Sequence, residues 1–354
     1  MNEVQAITDP FEIQFPRLGW TFHINPTAFT IFGIEIQWYG LIITCGLVLA
    51  LIYVMPKMKR FGLDGERALD AIIGGVLGGI VGARAYYVIL NWDSYKGDFK
   101  AIINTRNGGL AIYGGIIGAV IVGLIMCKIR KVKFLPMLDI TVLGFLIGQG
   151  IGRWGNFVNQ EAFGTNTGNI FGMTGGTIQD TIFRNTTYAD GSMLNLDIDY
   201  LQPVHPCFLY ESLWCLLGFL LISTYSKHRK YDGQILLMYM AWYGAERFVV
   251  EGLRTDSLMA GNIRFSQMLS IIICTVSIII QIIMFFRVKR DPEKYVLYCN
   301  TEESRNLLEQ AKRLRQGDDS DDGSEEYDEI IDDNSDENTS QKNIQEENEN
   351  GTDY

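Results

Sequence analysis

Between residues 144 and 164 the chain reads GFLIGQGIGRWGNFVNQEAFG, which places Arg153, Asn156, Asn159 and Glu161 within nine residues. A guanidinium, two amides and a carboxylate this close together could hold an anion, the guanidinium offering a planar fork of N–H donors. If the apolar helix before them continues, Arg153 and Asn156 share a face at i, i+3. Glycines at 148, 150, 152, 155 and 164 let backbone or ligand approach where a Cβ would clash. A plain helix exit, with the amides capping the turn and Arg153 facing water, would use the same residues without chemistry.

Four further places set polar groups in or beside apolar runs. Arg84 is followed by Tyr86 and Tyr87, and Tyr113 is bracketed by Gly108-Gly109 and Gly114-Gly115. His205-Pro206-Cys207-Phe208-Leu209-Tyr210-Glu211 opens another run, and Tyr243, Arg247, Glu251 and Arg254 form one helical face. Each has a plain explanation: snorkelling for Arg84, a self-contained i, i+4 pair for Arg247 and Glu251, interfacial packing for Tyr39 and Tyr113, a hydrogen bond for Glu211. An Arg at mid-helix nonetheless costs ~2.5–3.5 kcal/mol to insert, so chance accumulation is disfavoured. Arg84, Arg153 and Arg247 together suit an anionic headgroup, since guanidinium matches phosphate oxygens bidentately.

The elements that must position these groups are seven apolar segments, near 38–56, 68–90, 108–127, 134–152, 207–226, 234–250 and 266–286, each close to the ~20 residues that span a bilayer core. Alternate connections are short and basic: Lys57, Lys59, Arg60 and Arg67; Lys128, Arg130, Lys131 and Lys133; Lys227, Arg229 and Lys230. The positive-inside rule then puts the N-terminus outside and the C-terminus in the cytoplasm, with the polar groups toward one membrane face. Glycines 74, 78 and 82, 114 and 118, and 144, 148 and 152 recur every four residues, which predicts a tight bundle of spans two to four.

Residues 1–37 read as an interfacial lead-in with Phe11, Phe15, Trp20 and Phe22. The region 38–290 is the membrane domain, and its outer loop at 153–206 reads as a small cap of turns and short strands such as Thr177–Phe183. A juxtamembrane segment at 291–317 holds one helical stretch, 301–315. The tail from 318 to 354 carries 16 Asp/Glu and one Lys, against a net charge of −11 for the whole chain, so the first 317 residues are at +4. Such a tail reads as disordered, and the low pI describes it rather than the body.

Six cysteines scattered at 45, 127, 207, 215, 274 and 299, with three histidines, build neither a disulfide framework nor a zinc site, and no metal or cofactor is expected. The first 25 residues lack a basic start followed by an apolar run, so no signal peptide is expected.

GRWGNFVNQEAFG at 152–164 resembles the signature of the prolipoprotein diacylglyceryl transferase family of bacterial membrane enzymes. Trp38-Tyr39-Gly40, the Tyr113 motif, the 205–211 run and YGAERFVVE at 243–251 share the resemblance, in order, over roughly residues 15–290. It implies transfer of a diacylglyceryl group from phosphatidylglycerol to the lipobox cysteine of a prolipoprotein, in a multi-pass protein of the bacterial cell membrane. Membrane lipid and the prolipoprotein signal peptide are the implied partners, and nucleic acid is not among them.

By the same resemblance Tyr39, Tyr113, Arg153, Asn156, Glu161 and Arg247 are candidate catalytic residues. Arg153, Arg84, Asn159, Gly164, Tyr243, Arg247, Glu251 and Arg254 are candidate binders of the lipid. Arg153 and Arg247 would neutralise the leaving phosphate, Asn156 and Glu161 would orient the headgroup or those arginines, Tyr39 would sit at the lipid mouth, and Glu251 would fix Arg247. In this family a histidine can stand where Tyr113 stands here. An imidazole ionising near about 6.5 takes a thiol proton at neutral pH, and an ordinary phenol near about 10 does not. Either neighbouring arginines adjust the phenol or positive potential alone activates the thiol. The competing class is an anionic-solute or lipid transporter, which predicts polar groups on both sides and repeated halves. A lipid-binding scaffold without turnover is a third reading. The expected fold is an all-α integral membrane bundle of about seven transmembrane helices with a small extracytoplasmic cap.

Overall fold

The computed structural model describes residues 6–105, 108–186, 198–255, 259–260 and 263–316. The acidic tail at 318–354 lies outside the described residues. The chain opens with two antiparallel hairpins, β1 (Glu12–Phe15) with β2 (Trp20–His23) and β3 (Thr27–Ile31) with β4 (Ile34–Gln37). It continues through α1 (Trp38–Val54), α2 (Gly65–Leu90), the short α3 (Trp92–Tyr95) and α4 (Phe99–Ile103), then α5 (Ile112–Ile129) and α6 (Phe134–Asn159). Strand β5 (Thr174–Gly175) and helix α7 (Gly176–Thr186) follow, then α8 (Cys207–Tyr225), α9 (Gln234–Leu253), the small hairpin β6 (Met259–Ala260) and β7 (Ile263–Arg264), α10 (Phe265–Arg290) and α11 (Glu302–Gln316).

Among the described residues six helices are long and apolar enough to cross a membrane: α1, α2, α5, α6, α8 and α10. The protein is a mostly helical integral membrane protein. α9 has 20 residues, but Glu246, Arg247 and Glu251 hold it below the apolarity of the other six. It packs against α10, α8 and α6. Half of the apolar window of α6 is buried within the protein, against 11% for α5 and α10. α6 is thus the central helix, and the residues it carries are the ones most enclosed by others.

The glycine stripes sort the helices into pairs. α2 and α5 meet along Gly78, Gly82, Gly114 and Gly118, where a Cβ on Gly82 would lie 2.9 Å from the Gly118 Cα. The stripe on α6 serves a different neighbour: Gly148 faces Gly46 of α1, and Gly144 faces Ala50 and Val54. Spans two to four therefore do not form one bundle. α2 closes on α5, while α6 closes on α1 and, through Gly150 against Ser212 and Cys215, on α8. Small-residue spacing says that backbones touch and carries no address.

Three other expectations change. α6 runs seven residues past 152, so Arg153, Asn156 and Asn159 belong to the helix and not to the outer loop. Thr177–Phe183 is helical, because Ile178, Ile182 and Thr186 at i, i+4, i+8 give α7 one buried face that outweighs its local strand propensity. The lead-in is folded rather than merely interfacial: β1 lies between β2 and β5 and sends Ile13 and Phe15 into a core with Phe157, Val158, Met173, Ile178, Val204 and Phe208.

The end of α6 ties this cap to the bundle. Gln160 takes the left-handed conformation (φ 54°), and the Glu161 N–H donates to the Asn156 carbonyl at 3.0 Å, the closing bond of a Schellman turn. A residue with a Cβ costs ~1–2 kcal/mol there relative to glycine. Its side chain offsets that cost: Nε2 donates to the Pro10 carbonyl at 2.6 Å, and Oε1 accepts from the Thr177 N–H at 3.1 Å.

At the opposite end of the bundle the segment after α10 folds back. Ser304 Oγ donates to the Gly62 carbonyl at 2.9 Å, and the Tyr298 N–H donates to Asp232 at 2.8 Å. Lys133 pairs with Glu303 at 3.1 Å. Arg229 donates to the Arg60 carbonyl at 2.9 Å while lying over the Phe61 ring. Gly62 sits at φ 77° with Cys299 so close that a Cβ would come within 2.7 Å of its Cα. Three connections between helices are thus held by one later segment.

Candidate active site

The polar groups singled out in the sequence converge at the end of the bundle where α6 stops. Arg153 of α6 pairs with Glu211 of α8, and Arg247 of α9 pairs with Glu251 one turn on. Arg247 also lies 4.0 Å from the same oxygen of Glu211. One buried carboxylate therefore stands between two arginines on different helices. The arginine side chains are 21% and 17% exposed, whereas those of Glu211 and Glu251 are 2% exposed. An incoming anion can reach the guanidinium groups but not the carboxylates that hold them. With the long side chains already fixed, little rotamer entropy is lost on binding.

The last turn of α6 adds the amides. Asn156 Nδ2 donates to Glu161 Oε1 at 2.9 Å, and Asn159 Nδ2 reaches the same oxygen at 3.4 Å. Asn156 lies one turn from Arg153 on the α6 face that meets α1. Trp154 Nε1 donates to Ser212 Oγ at 3.2 Å, and Ser212 donates to the Gly150 carbonyl at 2.8 Å, which locks α6 to α8 below the arginines.

Two glycines of the signature have steric reasons. The Tyr39 ring lies across Gly155, where a Cβ would be 2.6 Å from its Cδ2. Gly164 is wedged between His205 and the Leu253 carbonyl, with a Cβ falling 2.8 Å and 3.0 Å from them. Around it the Gly164 N–H donates to the His205 carbonyl at 3.0 Å and the Thr165 N–H to the Leu253 carbonyl at 2.8 Å. This stitches the end of α6, the start of α8 and the end of α9 into one ring. His205 sits in that ring with Nδ1 3.2 Å from the Tyr210 hydroxyl, and burial pushes its pKa below the usual imidazole value.

From the arginine cluster an apolar groove of about 370 Å³ runs along α6 between α1 and α2. Tyr39, Arg153 and Asn156 line one end, and Leu47, Val76 and Phe145 are among the apolar residues farther along. A charged end on an apolar trench fits an amphipathic molecule with an anionic head and hydrocarbon chains.

Not every candidate residue joins this cluster. Tyr39, Arg153, Asn156, Asn159, Glu161, Tyr243, Arg247 and Glu251 come together, and Gly164 forms part of the wall. Arg254 pairs its backbone with Gly164 at the rim. Tyr113, at the start of α5, sets its ring edge-on to Phe265 of α10 at 6.3 Å between centroids. Among the described residues no ion pair or hydrogen bond ties it to the arginines. Arg84 is placed as a fastener rather than a binder. Its guanidinium donates to four backbone carbonyls, of Ala101, Ile102, Gly108 and Gly109, at 2.6–3.1 Å.

Two residues go beyond the sequence reading. Glu211 was assigned only a hydrogen bond, yet it organises both arginines. Glu246, 5% exposed, lies within electrostatic reach of Glu211, Arg153 and Arg247, and its Oε1 has no hydrogen-bond partner among the described residues. The stripe Tyr239, Tyr243, Glu246 at i, i+4, i+7 would have found it. The stripe through Arg247 and Glu251 lies on the adjacent face.

Residues 26–283 match the family described as prolipoprotein diacylglyceryl transferase. A phosphatidylglycerol–prolipoprotein diacylglyceryl transferase of Finegoldia magna is 46% identical over 260 residues, 73% of this chain and 95% of its own length. Those of Listeria monocytogenes and Clostridioides difficile are 40% and 39% identical, covering 77% and 70% of this chain and 94% and 91% of theirs.

Proposed function

The chain belongs to the prolipoprotein diacylglyceryl transferase family, and from that premise we propose that it transfers the diacylglyceryl group of phosphatidylglycerol to a prolipoprotein cysteine. The observation that carries this reading is the pair of part-exposed arginines, Arg153 and Arg247, about Glu211, with Arg153 at the charged end of an apolar groove.

In the proposed reaction the cysteine sulfur attacks the glyceryl carbon that bears the phosphate. A thioether S–C bond forms and the C–O bond to the phosphate breaks, its electron pair leaving with the oxygen as glycerol phosphate. The thiol proton goes to a base or to water. Charge grows on the leaving phosphate, so Arg153 and Arg247 contribute most where their charge matters most, in the transition state. Asn156, Asn159 and Glu161 fix the headgroup, Tyr39 and Tyr243 wall it, Gly164 keeps room, and Glu251 steadies Arg247. Tyr113 is assigned to the thiol proton, with Glu161 or a water as alternatives. Arg254 is assigned to the rim.

We place the protein in the bacterial cell membrane with seven spans, α9 being added to the six apolar helices, N-terminus outside and C-terminus inside. Reporter fusions should put residues 62, 130, 229 and 310 inside and 20, 97, 185 and 258 outside. A cytoplasmic signal from 185 overturns that orientation.

The decisive test uses the purified full chain in detergent with phosphatidylglycerol and a peptide bearing a lipobox cysteine. Mass spectrometry should find a diacylglyceryl adduct on that cysteine and none on its Cys→Ser twin. No adduct, from protein that retains its fold, defeats the reading.

A further inference from the structure

Gln149 sits in the groove wall without a place in the scheme above. It is on α6, one turn before Arg153 and on the same face, so the two side chains are about 6 Å apart along the helix axis. Away from the end lined by Tyr39, Arg153 and Asn156 the wall is apolar apart from Thr141, whose hydroxyl donates to the Met137 carbonyl at 2.7 Å. A primary amide facing a hydrocarbon trench is costly unless its donors are used.

Tyr239 of α9 uses only part of it. Gln149 Nε2 lies 2.9 Å from the Tyr239 hydroxyl, and that hydroxyl lies 3.1 Å from Gln149 Oε1. One hydroxyl serves as acceptor from the amide or donor to it, whereas the amide has two N–H groups. At least one N–H remains for whatever fills the groove. Tyr239 is itself held by stacking on Tyr243, centroids 5.9 Å apart and planes 13° apart, so the amide is fixed relative to the arginine cluster.

The position of that N–H identifies what it meets. In a diacyl glycerophospholipid the nearer ester carbonyl carbon lies five bonds from phosphorus, a reach of about 6 Å at about 1.2 Å of advance per bond of an extended chain. With the phosphate on Arg153, an ester carbonyl arrives one helical turn along the groove. An ester carbonyl is an acceptor with no donor of its own, and nothing else in the apolar wall can satisfy it.

Resting on the transferase reading, we propose that Gln149, held by Tyr239, is a specificity-determining residue that donates a hydrogen bond to an acyl ester carbonyl of the lipid. The protein thereby selects ester-linked diacyl donors over ether-linked dialkyl ones, which carry the same headgroup and chains but lack the carbonyl.

The test compares transfer rates from diacyl phosphatidylglycerol and from its dialkyl ether analogue, in vesicles of matched composition, with the full chain and one cysteine peptide. Wild-type protein should favour the diacyl donor about five- to tenfold, the size of one hydrogen bond in an apolar site. Gln149→Met, which keeps length and loses the N–H, should bring the diacyl rate down to the dialkyl rate and leave the dialkyl rate unchanged. Tyr239→Phe should keep part of the preference, since the amide remains but is no longer held. Equal wild-type rates overturn the inference, and so does a Gln149→Met protein that slows on both donors alike, which would mark packing. A wild-type protein inactive on both donors removes the transferase reading itself, an outcome distinct from an active protein that shows no ester preference.

Discussion

Arg84 and Arg153 lie toward the same end of the bundle and are both largely enclosed, yet they belong to regions built on opposite rules. In the α2–α5 pair, glycines bring two backbones together, and Arg84 closes the mouth by donating to four carbonyls. In the α6–α8–α9 cluster ion pairs and side-chain hydrogen bonds join the helices across their packing, and Arg153 keeps an open flank toward the groove. A buried arginine whose donors all end on fixed carbonyls is architecture. One held on a single side by a fully buried carboxylate is ready to take a second anion.

The sharpest way to break this contrast is to remove each arginine in turn. Arg153→Ala or Arg247→Ala should lower transfer by on the order of 10²–10³-fold, the loss of a charged transition-state contact, with lysine recovering only part of it. Arg84→Ala should instead lower the melting temperature in detergent, since hydrogen bonds to a charged donor are worth about 1.5–3 kcal/mol each. Its turnover per folded molecule should stay within about twofold. An Arg84→Ala protein with an intact melting curve and lost turnover would erase the distinction.

The glycine pair makes its own prediction. Gly118→Val puts a side chain against the Gly78 carbonyl and the Gly82 Cα, and overpacking of this kind costs roughly 1–3 kcal/mol. Reduced thermal stability is the expected result, with groove residues such as Gln149 untouched.

Tyr113, at the start of α5 with its ring against Phe265 of α10, tests where proton transfer occurs. Tyr113→Phe should slow transfer about tenfold at neutral pH, while Tyr113→His should retain activity and move the rate profile to lower pH. An unchanged rate and profile in the phenylalanine variant would reduce Tyr113 to its edge contact with Phe265.

The smallest effect separates the two buried glutamates. Glu211→Gln weakens the hold on Arg153 and should cost about tenfold in transfer, because it leaves a buried cation short of its counter-charge. Glu246→Gln keeps shape and removes no ion pair, so transfer should stay within about threefold. Equal losses would mean that Glu246 helps organise the cluster.

What the sequence made legible follows the same division. The apolar lengths, the signature at 152–164 and the stripe Tyr243, Arg247, Glu251 are local patterns, and the structure keeps them together. Arg84 was unreadable because its partners are carbonyls 17 to 25 residues away, and a carbonyl has no letter in the sequence. The glycine stripe of α6 announced a close neighbour without naming α1. Nothing in the sequence sets Gln160 apart from other polar residues, yet its side chain is what fastens the cap. Glu246 was hidden by its neighbour, since adjacent helical residues point about 100° apart and only one face was followed.

The segment that latches onto Gly62, Asp232 and Lys133 has a consequence for the order in which the molecule is made. A membrane chain emerges from its N-terminus, so α1 and α2 are complete long before residues 298–304 exist. Until the ribosome reaches them, the connection around Gly62 lacks its Ser304 and Cys299 neighbours, and Lys133 lacks Glu303. The first helical connection to be synthesised is among the last to be finished. A chain ending after α10 would hold every apolar helix and every residue of the arginine cluster, and still leave three connections at the far end unfastened.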